Sequence, residues 1–219
     1  SEDFETSTGG WFQSDNSSDS LWQWGVASGN DINTVANNDH VWATNLSGTY
    51  PSDSTAVWVY SPCFDFTAMQ RPMIKLNRRL DLLLVDGAAI DYFDPNLEQW
   101  ITLGIKDKGI NWYNTNSVFG LIGQKQAEGT LITGTLNGWS GVENSWKNAR
   151  YRLDELKGKD NIRFRINFGA LNSATNNSFD GVAFDDVWIG ERTRNTMVEY
   201  FSNYNYINLQ TGETIFDAN

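Results

Sequence analysis

Asp180-Gly181-Val182-Ala183-Phe184-Asp185-Asp186-Val187-Trp188-Ile189 reads as a β-strand that is apolar on both faces. Side chains of a strand alternate between faces, and here Val182, Phe184 and Trp188 share one parity while Ala183, Val187 and Ile189 share the other. Asp185 and Asp186 interrupt the run, so one carboxylate is expected on each side. A buried carboxylate is costly unless it is paired, hydrogen-bonded or bound to a metal. The partner can come from the other end of the chain. Ser1-Glu2-Asp3-Phe4-Glu5 is an acidic segment around one aromatic, followed by Gly9-Gly10-Trp11. If the first and last strands are neighbours, Glu5 or Asp3 meets Asp185, with Asp186 beside it. Ca²⁺, which takes about 6–8 oxygen ligands, would then join the two ends. The alternative is a carboxylate held by backbone N–H groups or by Arg163 or Arg165.

The rest of the chain supports an all-β reading. Its 219 residues include 10 Trp, 12 Phe and 8 Tyr, which favours strands over helices, and the length suits one β-sandwich. Strands are expected over 21–26, 41–46, 56–61, 73–77, 80–85, 88–93, 99–103, 151–153, 161–168 and 182–189. Asp86-Gly87 marks a turn and Asp94-Pro95-Asn96 a hairpin loop. Ile162, Phe164, Ile166 and Phe168 alternate with Arg163, Arg165 and Asn167, which implies one wet face. Residues 104–148 are rich in Gly and Asn and give no clear elements. The fold class is therefore an antiparallel β-sandwich of jelly-roll type over 1–190. A C-terminal extension, 191–219, reads as a linker or the start of a following domain, with one more strand expected near 197–201.

Charge and cysteine content narrow the function. The net charge is −11, which disfavours nucleic acid and anionic membranes and favours divalent cations. No apolar run is long enough to span a bilayer. Cys63, the single cysteine, forms no internal disulfide and is expected to be a small buried hydrophobe. The chain starts at Ser1 rather than Met and is read as a processed product or fragment.

The ordered set of motifs resembles MAM-type domains and concanavalin-like jelly rolls. It comprises Asp3-Phe4-Glu5 with Gly10-Trp11, then Val41-Trp42-Ala43-Thr44-Asn45-Leu46-Ser47-Gly48-Thr49-Tyr50, then Asp86-Gly87-Ala88 with Trp100-Ile101-Thr102-Leu103-Gly104. Gly138-Trp139-Ser140-Gly141, the segment from Asn161 to Gly169, and the final strand complete it. The most similar versions belong to secreted or surface proteins of Bacteroidetes-type bacteria exported by a type IX system. The resemblance implies a structural cation at Glu5 and Asp185, and a secreted or cell-surface setting outside the outer membrane. The disulfides of eukaryotic MAM domains have no counterpart here. Asp19-Ser20-Leu21 and Asp53-Ser54-Thr55 match a short O-glycan acceptor pattern of such proteins.

Catalysis finds little support. His40 is the lone histidine, and neither a His-Glu-x-x-His metal signature nor a Gly-x-Ser-x-Gly elbow is present. Asp185 and Asp186 are not spaced as the two carboxylates of a glycosidase cleft. Binding is better supported. Trp112, Tyr113 and Trp139 fall in the long polar segment and are expected to contact a ligand, since aromatics give rigid contact area at low entropic cost. The alternative is that they close the core. The expected partners are a protein or glycan at the cell surface, with a larger assembly reached through 197–219 by strand addition. A carbohydrate-binding accessory domain of a secreted hydrolase is the next reading, and a glycan-cleaving enzyme the last.

Overall fold

Alternating hydrophobicity becomes two stacked sheets in the computed structural model, which describes residues 1–13, 21–34, 39–51, 55–121, 136–171, 178–192, 206–207 and 214–216. The strands are β1 (Phe12–Gln13), β2 (Gln23–Val26), β3 (His40–Ala43), β4 (Thr55–Phe64), β5 (Pro72–Asp81), β6 (Gly87–Asp94), β7 (Gln99–Thr102), β8 (Lys147–Arg152), β9 (Ile162–Ala170), β10 (Gly181–Glu191), β11 (Tyr206–Ile207) and β12 (Thr214–Phe216). One sheet runs β1-β4-β9-β6-β7 and the other β2-β3-β10-β5-β8, and all their pairings are antiparallel. Among the described residues no helix is long and apolar enough to cross a membrane. The all-β sandwich expected from the sequence is the observed fold.

The core lies between the sheets. Val57 and Val59 of β4, Ile90 and Tyr92 of β6, and Phe164, Ile166 and Phe168 of β9 meet Ile74, Leu76 and Leu80 of β5 and Val182 and Phe184 of β10. The strands expected at 73–77 and 80–85 become one strand, β5, because Asn77, Arg78 and Arg79 keep the ladder with β10, and it ends at Asp81, with residues 82–85 leading into the turn before β6. Arg78 is 2% exposed. It keeps its charge there through Glu143, 2.6 Å away, and through the Asn111 carbonyl.

The opening quoted strand, β10, departs from simple alternation. Its register with β5 shifts between Asp185 and Trp188, and Asp186 takes φ 51°, a left-handed conformation that Asp tolerates better than most residues. This bulge resets the parity. Val182 and Phe184 face the main core, and past the bulge Val187 and Ile189 rejoin that core, while Trp188 turns outward. Ala183 packs on the other side with Ala27, Ile32, Val41 and Ala43.

Cys63 is exposed, against the expectation of burial. A register irregularity between Tyr60 and Cys63 places it opposite Arg163, on the outward face. In the tail, β11 and β12 pair with each other. The strand expected at 197–201 and most of both O-glycan motifs lie outside the described residues.

Candidate ligand-binding face

The register across the first sheet brings together side chains far apart in sequence. Phe12 pairs with Tyr60, Tyr60 with Arg165 and Trp58 with Asn167, Arg165 with Asp91, and Phe93 with Trp100. Directly opposed residues share a face, and here it is the face away from the core. Phe12, Trp58, Tyr60, Phe93 and Trp100 thus stand outward together with Arg163, Arg165, Asp91 and Asn167.

Ring distances show how the side chains lie across this face. Tyr60 on β4 and Trp100 on β7 are three strand spacings apart, about 14 Å at ~4.8 Å each, yet their ring centroids lie 5.5 Å apart. Both long side chains therefore lean over β9 and β6. Phe93 meets Trp100 at 5.5 Å and Phe12 stacks on Tyr60 at 5.5 Å. The Arg165 guanidinium lies 4.4 Å from the Trp100 centroid and 5.3 Å from that of Trp58, and Arg163 sits 5.4 Å over Phe12. The "wet" face of β9 is instead largely roofed by aromatics.

Under this roof lies a polar floor. Arg165 Nε donates to Asp91 Oδ2 at 2.8 Å, and Thr102 Oγ1 donates to Asp91 Oδ1 at 3.0 Å. Burial pushes the Asp91 carboxyl above its usual range, with Arg165 and Thr102 acting in the opposite direction. Beside this pair the Asn167 amide is 1% exposed, and neither Nδ2 nor Oδ1 has a hydrogen-bond partner. Trp58 Nε1 and Arg163 Nε are buried and unpartnered as well. Orphaned polar atoms of this kind cost about 1–3 kcal/mol each. A group that can both donate and accept would relieve them.

The residues singled out from sequence fall elsewhere. Trp112, Tyr113 and Trp139 are 3%, 2% and 1% exposed and form one buried cluster, with centroids 5.1–5.4 Å apart. Their polar tips serve the backbone: Trp112 Nε1 donates to the Leu103 carbonyl, Trp139 Nε1 to that of Asn111, and the Tyr113 hydroxyl bonds both N–H and C=O of Ile90. The long polar segment packs against the open side of β6, with Trp139 bridging Ala88, so its aromatics face inward rather than toward a ligand.

The two chain ends do adjoin, as expected. Glu2 bridges Val187, its N–H bonding the Val187 carbonyl at 2.8 Å. The residue that enters the core is Phe4, not an acid. Both Glu5 carboxylate oxygens accept backbone N–H groups of Asp39 and His40, at 3.1–3.3 Å, and His40 Nδ1 lies 3.8 Å away. Asp185 is fully buried, and its Oδ1 accepts the Asp186 N–H. A cation between Glu5 and Asp185 would share both with these donors. Asp3 and Asp186 line an outward cleft of about 430 Å³ with Lys75, Asn77, Asn148, Arg150 and Trp188, where Asn77 donates to Asp186 at 2.6 Å.

No family model and no curated protein matches the chain. Among solved structures it is similar to the K1 cleaved adhesin domain of Lys-gingipain from Porphyromonas gingivalis W83. That likeness has 14% identity and a TM-score of 0.45, over 88% of this chain and 97% of that one. A mannan-recognising carbohydrate-binding module, TmCBM27, is similar at 13% identity and a TM-score of 0.35, over 84% and 90% of the two chains. An arabinoxylan arabinofuranohydrolase of glycoside hydrolase family 43 from Bacillus subtilis follows at 16% identity and a TM-score of 0.27, over 69% of this chain and 25% of that one. What each of these binds or cleaves is a property of that protein.

Proposed function

We propose that this chain is a non-catalytic binding module of a larger secreted or cell-surface protein, MAM-like in architecture, and that its ligand is a glycan held on the outward face of β4, β9, β6 and β7. The observation that carries the reading is the aromatic row of Phe12, Trp58, Tyr60, Phe93 and Trp100 over the unpartnered Asn167 amide. Sugar rings offer apolar faces for aromatic side chains, and vicinal hydroxyls that donate and accept, as an amide requires. Arg163, with a free Nε, adds a charged donor for ring or acidic oxygens.

A panel of soluble polysaccharides, followed by Trp fluorescence, tests this. Trp58→Ala and Trp100→Ala are each expected to weaken the responding glycan by about thirtyfold or more, the loss typical of a central aromatic anchor. Wild-type-like binding in both variants, with unchanged folding, removes the face as the ligand site. If a glycan-free surface protein binds and Trp58→Ala abolishes it, the same face serves protein adhesion instead.

A structural Ca²⁺ shared by Glu5 and Asp185 belongs to the same proposal, supported by the contact between the chain ends and the burial of Asp185. Added Ca²⁺ is expected to raise the unfolding temperature of the wild type, and Glu5→Gln to remove part of that rise. An equal rise in both proteins would take Glu5 out of the site.

A further inference from the structure

The acids that the fold draws together are not those at the chain ends. Asp31 lies in the loop before β3, Asp81 closes β5, and Asp180 immediately precedes β10. Each brings a carboxylate oxygen, all within 4.8 Å of one another. The register explains the meeting. Gly181 pairs with Asp81, which leaves Asp180 one step beyond the pair, with its N–H donated to Asp81 Oδ2 at 2.7 Å. The loop of residues 27–34 folds over this corner because Asp180 Oδ2 accepts the N–H groups of Asp31 and Ile32, at 2.6 and 2.8 Å.

Three carboxylates on an exposed corner would need no further account, but two of these are inside. Asp81 is 3% and Asp180 0% exposed. Asp180 Oδ1 is buried and has no hydrogen-bond partner. The nearby cation is Arg79, which spends Nη2 on the Asp31 carbonyl at 3.0 Å. Among the described residues no Lys or Arg forms an ion pair with Asp31, Asp81 or Asp180. Burial pushes the Asp81 carboxyl above its usual range, helped by the Asp31 and Asp180 charges and opposed by the Asp180 N–H and by Arg79, as expected of crowded acids whose nearby cation only partly offsets them.

We propose that Asp31, Asp81 and Asp180 form a divalent-cation site of the Ca²⁺ class, separate from Glu5 and Asp185. The donors are oxygens alone, which suits a hard cation and not Zn²⁺, whose sites favour Cys and His. Loop carbonyls and water complete the shell of such an ion. Bound there, it fastens the 27–34 loop to the end of β5 and the start of β10, a corner that backbone pairing alone leaves to one loop's hydrogen bonds. The site is independent of the glycan reading, since it lies on the other sheet.

The test uses the full chain, Ca²⁺ alone as the probe, and two variants. Asp31→Asn changes an exposed residue, and Asp81→Asn keeps the acceptor for the Asp180 N–H. By calorimetry, each is expected to weaken Ca²⁺ binding by about tenfold or more, because affinity follows the charge count of the ligands. In chelator the order inverts: with a like charge removed, both variants unfold at or above the wild-type temperature. Glu5→Gln leaves this binding component in place. The proposal is overturned if wild type shows no saturable Ca²⁺ binding, if Asp31→Asn and Asp81→Asn bind as wild type does, or if Glu5→Gln alone removes all binding. It also fails if both Asp variants lose as much stability in chelator as in Ca²⁺, which marks a purely structural role.

Discussion

Arg165→Ala is expected to lower the unfolding free energy by about 3–5 kcal/mol at neutral pH, the usual cost of leaving one member of a buried ion pair unpaired. The side chains of Arg165 and Asp91 are 12% and 3% exposed and meet at 2.8 Å. Removing the guanidinium strands a carboxylate whose other support is Thr102. The pH dependence identifies the cause. Burial already lifts the folded-state pKa of Asp91 above the ordinary carboxylate range, so the native protein holds this proton more tightly than the unfolded chain. The buried charge therefore costs stability above the folded pKa, and the cost fades as pH falls through it toward the unfolded value. Without Arg165 the folded pKa rises further and the window widens. Urea unfolding should thus show the full deficit at pH 7 and a smaller one at about pH 4.5. The double variant Asp91→Asn/Arg165→Met should recover most of the loss, since no buried charge is left. A deficit of the same size at both pH values would mean that Arg165 acts by stacking on Trp58 and Trp100, not by pairing.

That pair also marks how far the sequence could be read. The alternation of β9 correctly put Ile162, Phe164, Ile166 and Phe168 in the core and set Arg163, Arg165 and Asn167 on the other face. The same parity in β4 separates Val57 and Val59 from Trp58 and Tyr60, so half of the aromatic face was legible. What sequence does not carry is the strand order. Only the neighbourhood β4-β9-β6-β7 brings Trp100 to Tyr60 and Asp91 to Arg165. The acidic triad was hidden for the same reason, its members being joined by a loop closure and a register and not by spacing. The adjacent acids Asp185 and Asp186 are plain in the sequence, but the bulge at which the chain turns there is invisible to a period-two count. The burial of Trp112, Tyr113 and Trp139 is not written in their Gly- and Asn-rich surroundings, because isolated bridges such as Ala88 with Trp139 build an inward layer without forming strands.

Phe184→Ala is expected to cost about 3–5 kcal/mol, the range for removing a buried aromatic that its surroundings cannot refill. Phe184 is 1% exposed and touches four other rings: Phe4 at 5.7 Å, Trp11 at 5.2 Å, Trp22 at 5.6 Å and Trp42 at 6.5 Å. Rings of that size reorient poorly around a void, and edge-to-face contacts add about 0.5–1.5 kcal/mol per pair beyond area burial. The damage should also be directional. Trp11, Trp22 and Trp42 are anchored at or beside paired strands, whereas Phe4 belongs to the opening segment, whose backbone tie to β10 is the bridge of Glu2 to Val187. Hydrogen exchange in Phe184→Ala should therefore accelerate most over residues 1–11, before the amides of β5 and β9 respond. Phe184→Leu, which fills most of the volume, should keep the segment docked and lose less than half as much stability. Uniform acceleration across both sheets would show instead that the opening segment is held by the Glu5 carboxylate and its N–H donors, and that the ring cluster is core like any other.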